Sequence, residues 1–315
     1  MKRRTIIALI AAALLIIAGG MILVLGLSFD GGPAEQEEKT YIVKEAFESI
    51  RVETGICNVV LEKTDGEFRV VVPETERISY AVIVSDGVLK ISAVDLHHWY
   101  DFVGVNLGEM TMKVYLPESQ YDILRIDTDS GDIALPNTLS FATAELFSDT
   151  GEIRIAAAAT ERITTGTATG DIHVIGSSPA TLNVATNTGD VELNDLNCVS
   201  CAVKTITGEI DLKHITCQSL ECTSDTGDME MERSIAQNYI KAISDTGDVE
   251  LMECDAQTIT VQTETGDISG MLLSPKEFFA RTDTGRERIA DHSGTNTGTC
   301  HITSDTGDIT FGYTK

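Results

Sequence analysis

Residues 244–249 read Ser-Asp-Thr-Gly-Asp-Val, and near-copies stand at 148–153 (SDTGEI), 224–229 (SDTGDM) and 304–309 (SDTGDI). The glycine of this element falls at Gly131, Gly151, Gly170, Gly189, Gly208, Gly227, Gly247, Gly266, Gly285 and Gly307, in steps of 19 or 20 residues and a last step of 22. A fixed period of this length is the mark of stacked structural repeats. The triplet is therefore repeat punctuation.

The flanking columns say what is stacked. Ser or Thr stands three residues before every one of these glycines. An acidic residue follows it at Asp132, Glu152, Asp171, Asp190, Glu209, Asp228, Asp248, Asp267 and Asp308, with Arg286 as the exception. Two residues after the glycine come Ile133, Ile153, Ile172, Val191, Ile210, Met229, Val249, Ile268 and Ile309, and Glu287 breaks that rank. Seven and five residues before it lie pairs such as Leu124 and Ile126, Leu182 and Val184, Ile259 and Val261. Alternation with period two on both sides of the glycine predicts two strands per unit. One such unit cannot bury its apolar face alone, but stacked units can. The expected fold is an all-β, single-chain β-solenoid with coils of about 19 residues, spaced at about 4.8 Å. The glycine column is expected to supply a corner with positive φ, and the Ser/Thr column to hydrogen-bond along the axis.

Before the regular coils (126–315), residues 41–125 are strand-rich but less periodic, and are expected to form irregular opening coils that cap the stack. Thr54-Gly55 reads there as an early copy of the corner. The spacing also predicts that the coils stack in chain order, with a short insertion before Gly307.

Residues 5–27 carry no charge and follow Lys2, Arg3 and Arg4 in the basic tail 1–4. The run is long enough for a transmembrane helix, and longer than the usual apolar stretch of a cleaved signal. The basic tail predicts a cytoplasmic N-terminus with the rest outside, joined by a polar linker at 28–40. The net charge is −26, which argues against nucleic acid as a partner.

The membrane segment, a strand ending in Leu116-Pro117 and the serial T-x-[ST]-G-[DE]-[IV] units resemble a bacterial family of β-strand-repeat proteins grouped as candidate adhesins. The likeness spans roughly residues 41–315. It implies a β-solenoid in the cell envelope, with no established activity and no catalytic residues to carry over.

Asp-Thr-Gly also surrounds the catalytic aspartate of aspartic proteases, and it occurs here at Asp149, Asp225, Asp245, Asp283 and Asp305. That chemistry needs two carboxylates sharing a proton in a closed cleft, whereas these aspartates form one column. Asp132, Asp171, Asp190, Asp228, Asp248, Asp267 and Asp308 make a candidate cation ladder. Calcium between coils would relieve the repulsion of stacked carboxylates, and turn chemistry is the plainer account. The seven cysteines include Cys198 and Cys217, each nine residues after a glycine and so stacked on neighbouring coils. They read as buried small side chains or one disulfide. His97, His98, Trp99 and Tyr100 lie in an aromatic stretch, 95–106, which is either a ligand loop or a cap over the core. The functional expectation is a non-catalytic, membrane-anchored scaffold facing an envelope protein or cell-wall polymer, with self-association through the solenoid ends. The alternative is a cation-dependent carbohydrate-binding or carbohydrate-cleaving solenoid.

Overall fold

The computed structural model describes residues 36–75, 78–95, 109–118, 120–290, 295 and 297–314. These residues form an all-β solenoid without a helix, its strands joined in one continuous hydrogen-bonded sheet. No helix among them is long and apolar enough to cross a membrane; the apolar run 5–27 lies outside the described residues.

Most regular coils have a long strand before the corner glycine and a shorter one after it, and after Gly208 the two merge into Ile210–Thr226. Ser140–Thr150 pairs in parallel with Gln120–Ser130 on one side and Ala158–Thr169 on the other. Ile153–Ile155 lies likewise between Ile133–Leu135 and Ile172–Ile175. In-register stacking turns each apolar column into a buried row: Leu124, Ile163, Leu182, Leu220, Ile240 and Ile259 are all fully inside. Each side chain of this size contributes about 1.5–3 kcal/mol by leaving water.

The corner column is glycine for two reasons. At eight of the ten corner glycines φ runs from +140° at Gly227 to +156° at Gly151, a region that side chains disfavour; Gly131 and Gly285, in the first and the end coil, lie outside that range. A Cβ at Gly208 would also stand 1.9 Å from the carbonyl oxygen of Gly189, and one at Gly151 would stand 2.2 Å from that of Gly131. Each glycine thus admits the next coil. At most coils the hydroxyl three residues earlier donates to the same neighbouring carbonyl, as Ser148 does to Gly131 at 3.0 Å and Thr186 to Gly170 at 3.1 Å, whereas the buried Ser224 and Ser244 hydroxyls make no such bond.

The two ends depart from chain order. At the N-terminal end, Ser49–Ile56 stacks against Gln120–Ser130, and Val88–Asp95 stacks beyond it. Antiparallel strands then close the end: Arg69–Glu74 on Thr111–Leu116, Glu37–Ile42 on Arg69–Glu74, and Ile78–Ser85 on Val88–Asp95. Phe47, half-buried, packs its ring 4.9 Å from Phe68 and 5.8 Å from Tyr121 beneath this cap. The corner of the opening coil is Cys57 rather than Gly55. Cys57 is the residue whose carbonyl a Cβ on Gly131 would strike, at 2.2 Å. A Cβ is tolerated there because the chain beyond it enters at Met110, whose carbonyl binds Asn58 N–H, and not at another corner.

At the other end, Thr299–Thr306 lies between Thr258–Thr265 and Glu277–Thr284. Ile309–Tyr313 lies between Ile268–Leu272 and Glu287–Ile289. The last segment of the chain is therefore inserted into the stack, and the coil at 277–289 becomes the end. The expected serial order fails for a physical reason. The column that holds Ile268 and Ile309 holds Glu287 in the end coil, and a carboxylate there cannot be covered on both sides. At the end it stays exposed and accepts from Thr282 N–H at 3.1 Å.

Candidate functional site

The acidic column beside the corner is a hydrogen-bonded ladder. Asp132 Oδ1 accepts from Glu152 N–H at 2.8 Å, Asp171 from Asp190 at 2.9 Å, and Asp190 from Glu209 at 2.8 Å. Asp228 accepts from Asp248 at 2.8 Å, Asp248 from Asp267 at 2.7 Å, and Asp267 from Asp308 at 2.7 Å. Asp308 completes the row by accepting from Arg286 N–H at 2.9 Å. Asn58 does the same for Asp132 at 2.8 Å, so a neutral amide fills the role at the first step. One oxygen of each aspartate is thereby committed to the backbone of the next coil. At Glu209 crowding shows. Burial, and then the charges of Glu230, Asp190, Asp211 and Asp228, push the Glu209 carboxyl above its ordinary range.

A second corner lies six residues after the glycine and was missed in the sequence. Gly176, Asp195, His214, Arg233 and Glu253 all have left-handed φ, between +49° and +67°. Their side chains join successive coils: His214 Nδ1 to Asp195 Oδ1 at 3.1 Å and Arg233 Nε to Glu253 Oε2 at 2.7 Å. The residue types differ at every step, so no motif marks them, and Gly176 was the one signal. Non-glycine residues in this region carry strain of about 1–2 kcal/mol each, which the cross-coil pairs offset in part.

A third row lies on the short strands. Arg154, His173 and Glu192 are in register on adjacent coils. His173 Nε2 lies 3.1 Å from Glu152 Oε1 and its Nδ1 lies 2.9 Å from Glu192 Oε2, while Arg154 Nε lies 2.6 Å from Glu152 Oε1. Hydrogen bonds from His173 and Asn194 hold the Glu192 carboxyl below its ordinary range. Beside this row runs an open groove of about 420 Å³ walled by Val60, Leu135, Pro136, Ile155 and Ile175. Arg154 lies against Glu152 within its coil, His173 bridges to both glutamates across coils, and the groove is mostly apolar.

All seven cysteines are buried and free. Cys201, Cys222 and Cys300 occupy the core columns, and burial pushes the Cys254 and Cys300 thiols up to about 12. Cys198 and Cys217 lie under the surface of one side of the stack. Among the described residues no three His, Cys, Asp or Glu side chains are placed to hold a metal ion. His97, His98, Trp99 and Tyr100 lie outside the described residues.

No curated protein matches the chain. Solved structures similar to it include a candidate adhesin from Parabacteroides distasonis ATCC 8503, 11% identical over 87% of this chain and 98% of that one, with a TM-score of 0.44. Others are a candidate adhesin from Bacteroides fragilis NCTC 9343 (16% identity, 89% and 97% covered, TM-score 0.29) and a candidate lipid-binding protein from Parabacteroides distasonis ATCC 8503 (13%, 91% and 100%, 0.36). The Toastrack DUF4097 family model matches residues 47–311, nearly the whole solenoid, and the chain belongs to that family.

Proposed function

We propose that the chain is a non-catalytic adhesive scaffold of the bacterial envelope, anchored in the membrane by residues 5–27 with the solenoid outside. The observation that carries this reading is the strand edge at the end far from the anchor. The near end finishes in antiparallel strands, of which Glu37–Ile42 and Ile78–Ser85 each pair on one side only. At the far end, the outer edge of Glu277–Thr284 pairs with no other strand among the described residues. An open edge is a template for another strand.

The edge is self-complementary. Antiparallel pairing of two copies about Phe279 sets Glu277 opposite Arg281 of the second copy on the outer face. On the inner face it sets Phe278 opposite Ala280, a large residue against a small one. Phe279, 48% exposed, meets its own counterpart. Opposite charges and aromatic pairs facing across strands are stabilising. Two rods anchored at their N-terminal ends would thus meet tip to tip from apposed membranes.

The test is vesicle clustering. The full chain is reconstituted in phosphatidylcholine vesicles and light scattering is followed. Wild type clusters the vesicles, Arg281→Glu disperses them, and the exchange Glu277→Arg with Arg281→Glu restores clustering. Dispersed wild-type vesicles, or clustering indifferent to Arg281→Glu, would overturn tip pairing. Sedimentation of the dispersed protein with peptidoglycan would then point to a cell-wall polymer as the partner.

A further inference from the structure

Cys198 and Cys217 occupy the same column on neighbouring coils. Asn197 is paired in parallel with Thr216, and Cys198 N–H donates to Thr216 O at 3.0 Å, which places the two cysteines one step apart along the stack. That step is about 4.8 Å, inside the Cα separation of roughly 4.4–6.8 Å that a disulfide spans. The adjoining positions in the column are Pro179 and Ala236, both small. The pair is shielded but reachable. Cys198 is 8% and Cys217 3% exposed, and both line a shallow surface depression with Asn197 and Gln218. Cys201, by contrast, sits at 1% exposure in a core column, opposite Leu220 of the next coil.

The three thiols are also chemically unequal. Hydrogen bonds from Cys201 and then Cys217 draw the Cys198 thiol below its ordinary range, and those same contacts push the other two up. Cys198 is also the more exposed of the pair, so it is the thiol that meets an oxidant first, attacking as the thiolate.

We propose that Cys198 and Cys217 are a redox-controlled staple between adjacent coils, oxidised by a small-molecule or protein disulfide. The Cys198 thiolate attacks one sulfur of that disulfide, and the other sulfur leaves as a thiolate that takes up a proton. Cys217 gives its proton to solvent, attacks Cys198 Sγ and expels the second thiolate. Two thiols are oxidised and one disulfide is reduced to two thiols. Because one turn of chain separates the two cysteines, the bond closes a single coil into a covalent ring. It blocks unzipping of the stack at its middle. The site outside the membrane proposed for the solenoid is one where such bonds persist, but the chemistry holds in any compartment with a disulfide donor.

The experiment is a peptide map of the full chain, purified under reductant, incubated with oxidised glutathione, alkylated and cut with trypsin. Cys198 and Cys201 fall in the peptide 163–204, and Cys217 and Cys222 in 214–233. The expected product is a reducible link joining these two peptides, kept in Cys201→Ala and lost in Cys217→Ala. The linked form should also melt at a higher temperature than the reduced form. A link confined to 163–204, or seven alkylated thiols and no link, would overturn the proposal. The wild-type map decides this even if a variant fails to fold.

Discussion

Lys276 Nζ stands 2.6 Å from Asp255 Oδ1 at the point where the chain leaves the regular stack for the end coil. The ammonium is almost fully buried, at 3% exposure. Ser274 Oγ at 2.8 Å and Thr297 Oγ1 at 3.2 Å complete its shell, and the backbone N–H of Lys276 donates to the Tyr313 hydroxyl at 3.3 Å. One residue thus ties the crossover, the segment returning through Thr297 and the final strand. Removing only the carboxylate leaves a buried charge without its partner. Asp255→Ala should cost about 3–5 kcal/mol, whereas Lys276→Met, which removes the charge itself, should cost far less. Denaturant unfolding gives the stabilities, and hydrogen exchange in 277–313 should rise selectively in Asp255→Ala. Equal effects of the two variants would show that packing, not charge, holds the crossover.

The corner glycines allow a graded prediction. Gly208→Ala meets a carbonyl at 1.9 Å and a φ of +149°, so the coils must part or the corner must distort. The cost should be about 3 kcal/mol or more. Gly176 has a φ of +67° but nothing within 4 Å of a Cβ. Gly176→Ala should cost only the backbone term, about 1–2 kcal/mol. Thermal or urea unfolding of the two variants separates steric contact from conformational strain. If the two cost the same, the neighbouring carbonyl is not what excludes a side chain.

These features differ in how legible they were. The glycine and core columns could be read directly, because stacking demands the same residue type at the same place in every coil. The order of the coils could not, because a period gives spacing and not neighbours. The clue was nonetheless present in Arg286 and Glu287, which fit only a coil covered on one side. The corner at Asp195, His214, Arg233 and Glu253 was hidden because a left-handed backbone selects no single side-chain class once cross-coil pairs compensate.

The aspartate ladder yields a prediction about calcium. Each Oδ1 accepts a backbone N–H, and Asn58 serves equally well in the same column. Asp248→Asn should therefore unfold close to wild type, and Asp248→Ala should lose about 1 kcal/mol with its hydrogen bond. Melting temperature should be the same in EDTA and in millimolar calcium, because only a ligand that binds the folded state raises it. A large rise in calcium that Asp248→Asn abolishes would instead make the second oxygens of the column cation ligands.

Glu192 and Glu209 should respond to pH with opposite signs. The Glu192 carboxyl lies below its ordinary range in the folded chain, through His173 and Asn194. Its contribution is present above the unfolded value of about 4.3 and fades as pH falls through the lower folded value. Glu192→Gln should thus destabilise at pH 7, by an amount that shrinks in acid. Glu209 lies above its ordinary range, through burial and four neighbouring carboxylates. The unfolded chain gives up that proton first, so stability falls as pH rises from about 4.3 through the folded value. Glu209→Gln should therefore stabilise at pH 7, with no gain below the ordinary carboxylate range. Both side chains are open to water, so each effect should be of the order of 0.5 kcal/mol. Paired melts at pH 7 and near pH 4 measure them. A common sign at pH 7 would mean that local hydrogen bonds do not outweigh the acidic field of the stack.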